Sequence, residues 1–252
     1  MKKINRKQVS ICFIFLVAIC LGVTFLMNRP KQGIEYIKSQ EERSLKSVDA
    51  KISKRKEKER KKAISEGKLD PFALLGDFVF YGDSRVLHYY SYGFLDSTRV
   101  FADNGETFAN TSKYNDRLKE LKPKRVIMSY GVNDIYYKVG EDEKGGYPQV
   151  VRDALEEIHS IVPKATIYVC GMIPISPYGL QRLKMTENSG EFNAILKGIT
   201  EEYDYVKYID DETLSVDGLA DIYAEDGYHF QSDFYPTWTQ YLVSCMDNWV
   251  TK

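Results

Sequence analysis

The sequence predicts a three-layer α/β/α domain built on a five-stranded parallel sheet, preceded by a membrane-spanning helix and a charged stalk. Three observations predict it. From residue 71 onward, short β-branched and aromatic runs alternate with amphipathic stretches, the pattern of strands joined by helical crossovers. The charge is divided along the chain: residues 1–69 hold 18 Lys+Arg against 7 Asp+Glu, and residues 70–252 hold 17 against 29. The formal net charge of −1 therefore averages +11 and −12. Finally, residues 9–27 run for nineteen positions without a charge.

That apolar run reaches about 28 Å as a helix at about 1.5 Å per residue, enough for a hydrocarbon core of about 30 Å. A cleaved signal peptide is the competing reading, but Leu26-Met27-Asn28-Arg29-Pro30 offers no small-residue cleavage site. A lipoprotein would need a small residue before Cys20, where Ile19 stands. Lys2, Lys3, Arg6 and Lys7 precede the run and favour a cytoplasmic tail over residues 1–8, a signal anchor over 9–27 and an extracytoplasmic remainder. Residues 28–69 are almost wholly polar, peak in the run KRKEKERKK at 54–62 and lack proline from 31 to 70, which suits a solvated helical stalk. On that side of the membrane the basic run meets no nucleic acid. Anionic headgroups or wall polymers, or nothing beyond solvent, are its expected surroundings.

In residues 70–252, segments 77–81, 98–101, 125–130, 166–170 and 206–209 read as strands buried on both faces. Segments 112–121, 148–162, 188–203 and 233–249 read as helices, two of them stopped by Pro123 and Pro163. A composition with 28 % charged and 43 % hydrophobic residues excludes a disordered polymer and a multi-span membrane protein. Four cysteines exclude a disulfide scaffold, Cys170 and Cys245 are expected as free thiols, and no Cys/His cluster suggests zinc, so neither metal nor cofactor is expected.

In a parallel sheet, chemistry gathers after the strands' carboxyl ends. After the first strand stands Gly82-Asp83-Ser84, with Arg85 opening a helix; Ser84 can expose its hydroxyl on a tight turn or simply cap the helix. After the second stands Asp103-Asn104-Gly105-Glu106-Thr107, a close backbone approach to a ligand or a plain turn. After the third stands Gly131-Val132-Asn133-Asp134, whose Asn can donate its amide or shape an Asx turn. Before the last helix stands Asp226-Gly227-Tyr228-His229, where the carboxylate can accept from the imidazole Nδ1–H and leave Nε2 as a base. Each signal alone is weak. Together they supply nucleophile, oriented base and oxyanion donors on one rim, the requirements of acyl transfer. His88 and His159 fall outside these segments and read as helix-surface residues.

On these four motifs, residues 76–249 resemble the SGNH, or GDSL-like, hydrolases, whose blocks centre on Ser, Gly, Asn and His. The resemblance implies a flavodoxin-like SGNH-hydrolase fold with Ser84 as nucleophile, His229 as general base and then acid, and Asp226 as its orienting partner. It implies an oxyanion hole from the backbone N–H groups of Ser84 and Gly105 and the side chain of Asn133. The chain departs from the family pattern at Arg85, where leucine is usual, and at Glu106-Thr107, where a further glycine is common.

Eighteen of the nineteen tyrosines lie in the acidic C-terminal part, and Tyr136, Tyr137 and Tyr147 bracket a long connection, 138–146, of the kind that forms lids. With no extended apolar lid and a net charge of −12, a lipid or polyanion substrate fits poorly. The expected substrate is an O-acylated, chiefly O-acetylated, envelope glycan or peptidoglycan, hydrolysed by an esterase. The alternatives are an O-acyltransferase served by a membrane acyl carrier, a glycan-binding module without turnover, and a bitopic scaffold acting through its stalk.

Overall fold

The computed structural model describes residues 66–186, 189–215 and 222–250, with scattered residues between 17 and 64. The chain divides into two compact units, Met1–Lys62 and Ala63–Lys252. In the first, every described residue is helical and nearly all are exposed, with Arg55 and Glu59 paired one turn apart at 2.8 Å. Of the expected anchor over 9–27, only residues 17–19 and 21–24 are described, both stretches helical; the rest of that expectation lies outside the described residues. Among the described residues, no helix is long and apolar enough to cross a membrane.

The second unit holds strands β1 Phe78–Gly82, β2 Val100–Ala102, β3 Arg125–Ser129, β4 Thr166–Cys170 and β5 Val206–Ile209. All pair in parallel in the order β2-β1-β3-β4-β5, the flavodoxin-like arrangement. Alternation along each strand divides the core in two. Val79 and Tyr81 of β1, Val126 and Met128 of β3, and Ile167 and Val169 of β4 face one apolar layer; Phe80, Ile127 and Tyr168 face the other. Such two-sided burial is why these segments read as continuous apolar runs. β4 and β5 match the expected bounds, whereas β2 begins at Val100 because Thr98 is held in a turn, its N–H and hydroxyl both donating to Asp96.

Helices α1 Ser84–Ser91, α2 Asn115–Leu121, α3 Val132–Tyr136, α4 Gly146–Ile161, α5 Pro177–Leu183, α6 Ser189–Thr200 and α7 Phe234–Val250 cover the sheet. Leu118, Leu155 and Leu196 seal the first layer; Val86, Trp238 and Leu242 seal the second. The expected helix over 112–121 is two elements, a 3-10 helix over Phe108–Tyr114 followed by α2. The sequence reading lacked α3 and α5, although Ser176 caps α5 by accepting from the Gly179 N–H at 3.0 Å and Pro177 occupies its first position. Cys170 is buried and Cys245 half-buried, and neither forms a disulfide.

Three strands end in register: Gly82 lies beside Ala102 on one side and Ser129 on the other. The chain leaves β1 toward β2 and returns to β3 on β1's opposite flank. The residues following these three strands therefore share one rim at the point where the strand order reverses.

Candidate active site

At the end of β1 the chain turns at Asp83, whose carboxylate accepts from the Arg85 N–H at 2.9 Å and caps α1. The cap is thus Asp83, and the serine one residue later keeps its hydroxyl for other use. Ser84 Oγ lies 2.8 Å from His229 Nε2, and His229 Nδ1 lies 2.7 Å from Asp226 Oδ2, across 145 residues of sequence. The other oxygen of Asp226 accepts from the backbone N–H groups of Tyr228 and His229 at 3.0 and 2.9 Å. Partial burial pushes the Asp226 carboxyl up, but those two N–H groups and the imidazole outweigh it and hold the group below its ordinary value.

The Asp226–His229 turn is held in place by close packing. Gly227 has φ +81°, and a Cβ there would stand 2.5 Å from Ser176 Oγ and 2.6 Å from the Gly179 nitrogen. Its carbonyl accepts from the Ser176 N–H at 3.0 Å. From below, the buried Arg85 donates through Nε to the Tyr228 carbonyl at 2.7 Å and through a terminal nitrogen to the Ile173 carbonyl at 2.6 Å, its guanidinium 4.5 Å from the Phe230 ring centre. The departure from the family's leucine is therefore a tie between α1, the loop after β4 and the histidine turn. Burial lowers the Arg85 pKa, while Asp83 opposes that shift.

The three expected oxyanion donors border the same cleft of about 300 Å³ as Ser84 and His229. One N–H of the Asn133 amide donates to the Glu106 carbonyl at 3.1 Å, which orients the group and leaves its second N–H without a partner among the described residues. The backbone N–H groups of Ser84 and Gly105 likewise donate to nothing among the described residues. Gly105 adopts φ +76°, a conformation that favours glycine. Glu106, the residue at odds with the family pattern, is buried: its carboxylate pairs with Lys113 and accepts from the Tyr114 hydroxyl at 2.9 Å, bracing the turn that carries Gly105. Asp134 accepts from the Phe108 N–H at 3.0 Å and joins α3 to the same segment. Burial, reinforced by Asp83, outweighs that bond and raises its carboxyl to about 7.

Other expectations need correction. His88 is half-buried beside the site rather than simply a surface residue: its ring stands 4.9 Å from that of His229, and burial, then the neighbouring imidazole, lowers its pKa. His159 does lie on a helix, half-buried at the end of α4, where it stacks on Tyr205 at 3.6 Å. Of the three tyrosines near the rim, Tyr136 and Tyr137 line the cleft, whereas Tyr147 packs on Phe192 in the core because α4 begins at Gly146 and turns it inward. No residue of 138–146 lines the cleft, so that connection is not a lid over it. Leu183 and Tyr228 also line the cleft; Tyr228 comes from the histidine motif itself, whereas Leu183 lies on α5, which was not foreseen.

A parallel sheet whose rim brings a serine, an imidazole and a carboxylate into one hydrogen-bonded relay is the arrangement of α/β acylhydrolases. The model of the GDSL-like lipase/acylhydrolase family matches residues 85–235, and the chain belongs to that family of ester-hydrolysing enzymes. The fold is similar to that of a GDSL-like lipase from Bacteroides thetaiotaomicron, at 14 % identity and TM-score 0.52 over 75 % of this chain and 97 % of that one. It is similar also to a candidate acylhydrolase from Bacteroides fragilis, at 15 % identity and TM-score 0.53 over 69 % of this chain and 88 % of that one. Comparison with curated protein sequences finds no match.

Proposed function

We propose that the protein is a serine esterase that removes a short acyl group, chiefly acetyl, from the hydroxyls of an O-acylated cell-envelope glycan. The observation that carries this is the unbroken relay from Asp226 through His229 to Ser84, with three N–H donors on the same cleft that have no partner among the described residues. Ser84 Oγ attacks the ester carbonyl as His229 Nε2 takes its proton, and Asp226 supports the imidazolium that forms. The oxyanion accepts from Ser84 N–H, Gly105 N–H and the second Asn133 N–H. His229 returns the proton to the departing sugar oxygen, leaving an acyl-Ser84. Water, deprotonated by His229, then attacks the acyl carbon and releases the acid and free Ser84.

The short acyl group follows from the lining. Val132 and Leu183 are the aliphatic side chains that border the cleft, and at about 0.8 kcal/mol per buried methylene a long chain needs far more apolar wall than they provide. The envelope location rests on the anchor and stalk read from the sequence. The signal anchor over 9–27 and the stalk over 28–69 would hold the domain over residues 70–252 outside the membrane, within reach of wall glycans.

The test uses full-length protein in detergent with p-nitrophenyl acetate, butyrate and decanoate, beside a Ser84→Ala control. Hydrolysis that favours acetate, disappears in the control and leaves an acetyl group on Ser84 by intact mass is the expected result. Equal inertness of both proteins would refute the reading. Adding oligosaccharide acceptors would show whether the acyl-enzyme passes to sugar, as an acyltransferase requires, or to water.

A further inference from the structure

The cleft carries an aromatic corner that the acyl-transfer steps do not use. Tyr136 and Tyr137 are 49 % and 58 % exposed, although each ring offers a large apolar face, and their ring centres lie 5.1 Å apart at 79° to one another. They follow Asn133 by three and four residues at the end of α3, so helical periodicity sets both on the same side as the amide expected to hold the oxyanion. Tyr137 closes α3, its N–H donating to the Asn133 carbonyl at 2.8 Å, which fixes the backbone of both tyrosines one turn beyond the amide. The Tyr137 hydroxyl is 3.6 Å from where a Cβ on Gly105 would stand, directly beside the candidate donors. Neither tyrosine hydroxyl has a hydrogen-bond partner among the described residues, and the exposed Asn104 lines the cleft next to them.

We infer that Tyr136 and Tyr137 form the subsite for the alcohol half of the ester, and that its occupant is a pyranose ring. The inference rests on the esterase reading and extends it to the residues that choose the substrate. A pyranose has an apolar C–H face bounded by hydroxyls that both donate and accept. Two rings nearly at right angles cover such a face and edge together, and their hydroxyls with the Asn104 amide serve the rim. A planar aromatic alcohol would stack as well, but would leave those three polar groups unpaired, at a loss in specificity. A simple alkyl alcohol would leave the corner empty.

The experiment uses full-length protein in detergent and three acetates: methyl 6-O-acetyl-glucopyranoside, phenyl acetate and ethyl acetate. The readout is each ester's kcat/KM relative to that on ethyl acetate. In Tyr136→Ala and Tyr137→Ala the glucoside ratio falls at least tenfold, and in the Phe variants, which keep the ring and lose the hydroxyl, by about threefold. A glucoside ratio unchanged within twofold in both Ala variants overturns the subsite. So does a phenyl acetate ratio that falls as far as the glucoside ratio, which would make the occupant an aryl group. If the wild type shows no Ser84-dependent hydrolysis of any of the three, the esterase reading fails, and calorimetric binding of the glucoside to the Ser84→Ala protein decides the subsite separately. Binding that weakens at least tenfold in the Ala variants upholds it, and absence of binding overturns it.

Discussion

Replacing Asp226 by asparagine isolates what the carboxylate does for His229. The two side chains have nearly the same shape, and an asparagine Oδ1 can go on accepting from the Tyr228 and His229 N–H groups at 3.0 and 2.9 Å, so the turn stays closed. What changes is the atom 2.7 Å from His229 Nδ1, which becomes an amide nitrogen that donates. The ring must then accept at Nδ1 and carry its proton on Nε2, where it faces Ser84 Oγ 2.8 Å away with no lone pair to take the serine proton. Exchanging a hydrogen bond to a carboxylate for a neutral one costs about 1 kcal/mol of stability. The wrong tautomer costs about 10⁴ in kcat, the size of effect found for the equivalent change in a serine protease, which is about 5.5 kcal/mol of transition-state stabilisation. The assay is kcat on p-nitrophenyl acetate with the thermal midpoint measured alongside and Ser84→Ala as the floor. A folded Asp226→Asn protein within tenfold of wild type would refute the assignment of tautomer control to this carboxylate. The sign of its pH dependence is also fixed: because the folded pKa is depressed, the stability Asp226 adds is present above the ordinary carboxylate range. It is lost progressively as pH falls from that range through the lower folded value.

Other perturbations follow from the same geometry. Asn133→Ala removes one proposed oxyanion donor and should lower kcat by about 10²–10³, with about 1 kcal/mol lost from the tie to the Glu106 carbonyl in a urea titration; kcat within threefold of wild type would remove Asn133 from the proposed hole. Arg85→Leu installs the family's residue but leaves the Tyr228 and Ile173 carbonyls unpaired and Asp83 without its neighbouring charge, for a loss of about 3–5 kcal/mol in urea and a reduced kcat. A variant as stable as wild type would show that the arginine braces nothing. Asp211, buried and accepting from Trp238 Nε1 at 2.6 Å, has its carboxyl raised by burial from 3.8 to about 8. Between those values the unfolded chain has released the proton and the folded chain has not, so stability falls as pH rises, by up to about 1.4 kcal/mol per pH unit. Asp211→Asn, which can still accept from Trp238, should flatten that slope in urea midpoints measured from pH 5 to 8; an unchanged slope would place the titration elsewhere.

The parts of this molecule that were legible in the sequence are those whose cause is local. β4 could be bounded because burial on both faces leaves an uninterrupted apolar run, whereas β5, at the sheet edge, keeps Lys207 and Tyr208 half-buried and is not covered on both faces as expected; Ser84, Asn133, Asp226 and His229 could be placed because each sits in a short motif at a strand or helix end. Glu106 reads as a departure from the family pattern because the compensation is not in the motif. It lies in Lys113 and Tyr114, on the next element, which hold the buried carboxylate. Arg85 looked like a departure for the same reason, since its partners Ile173 and Tyr228 are 88 and 143 residues away. His88 could not be read as a neighbour of His229 until α1 and the histidine turn were packed together. A buried cation that holds its carbonyls within 2.7 Å restricts the backbone more than an apolar contact does, because leaving either carbonyl unpaired costs about 1–3 kcal/mol. The peptide it fixes at Tyr228 is the one that leads directly into His229. The arginine beside the serine therefore bears on the proposed base, His229, rather than on the proposed nucleophile. A motif-level reading, which weighs each block by its own residues, has no place to record such an effect.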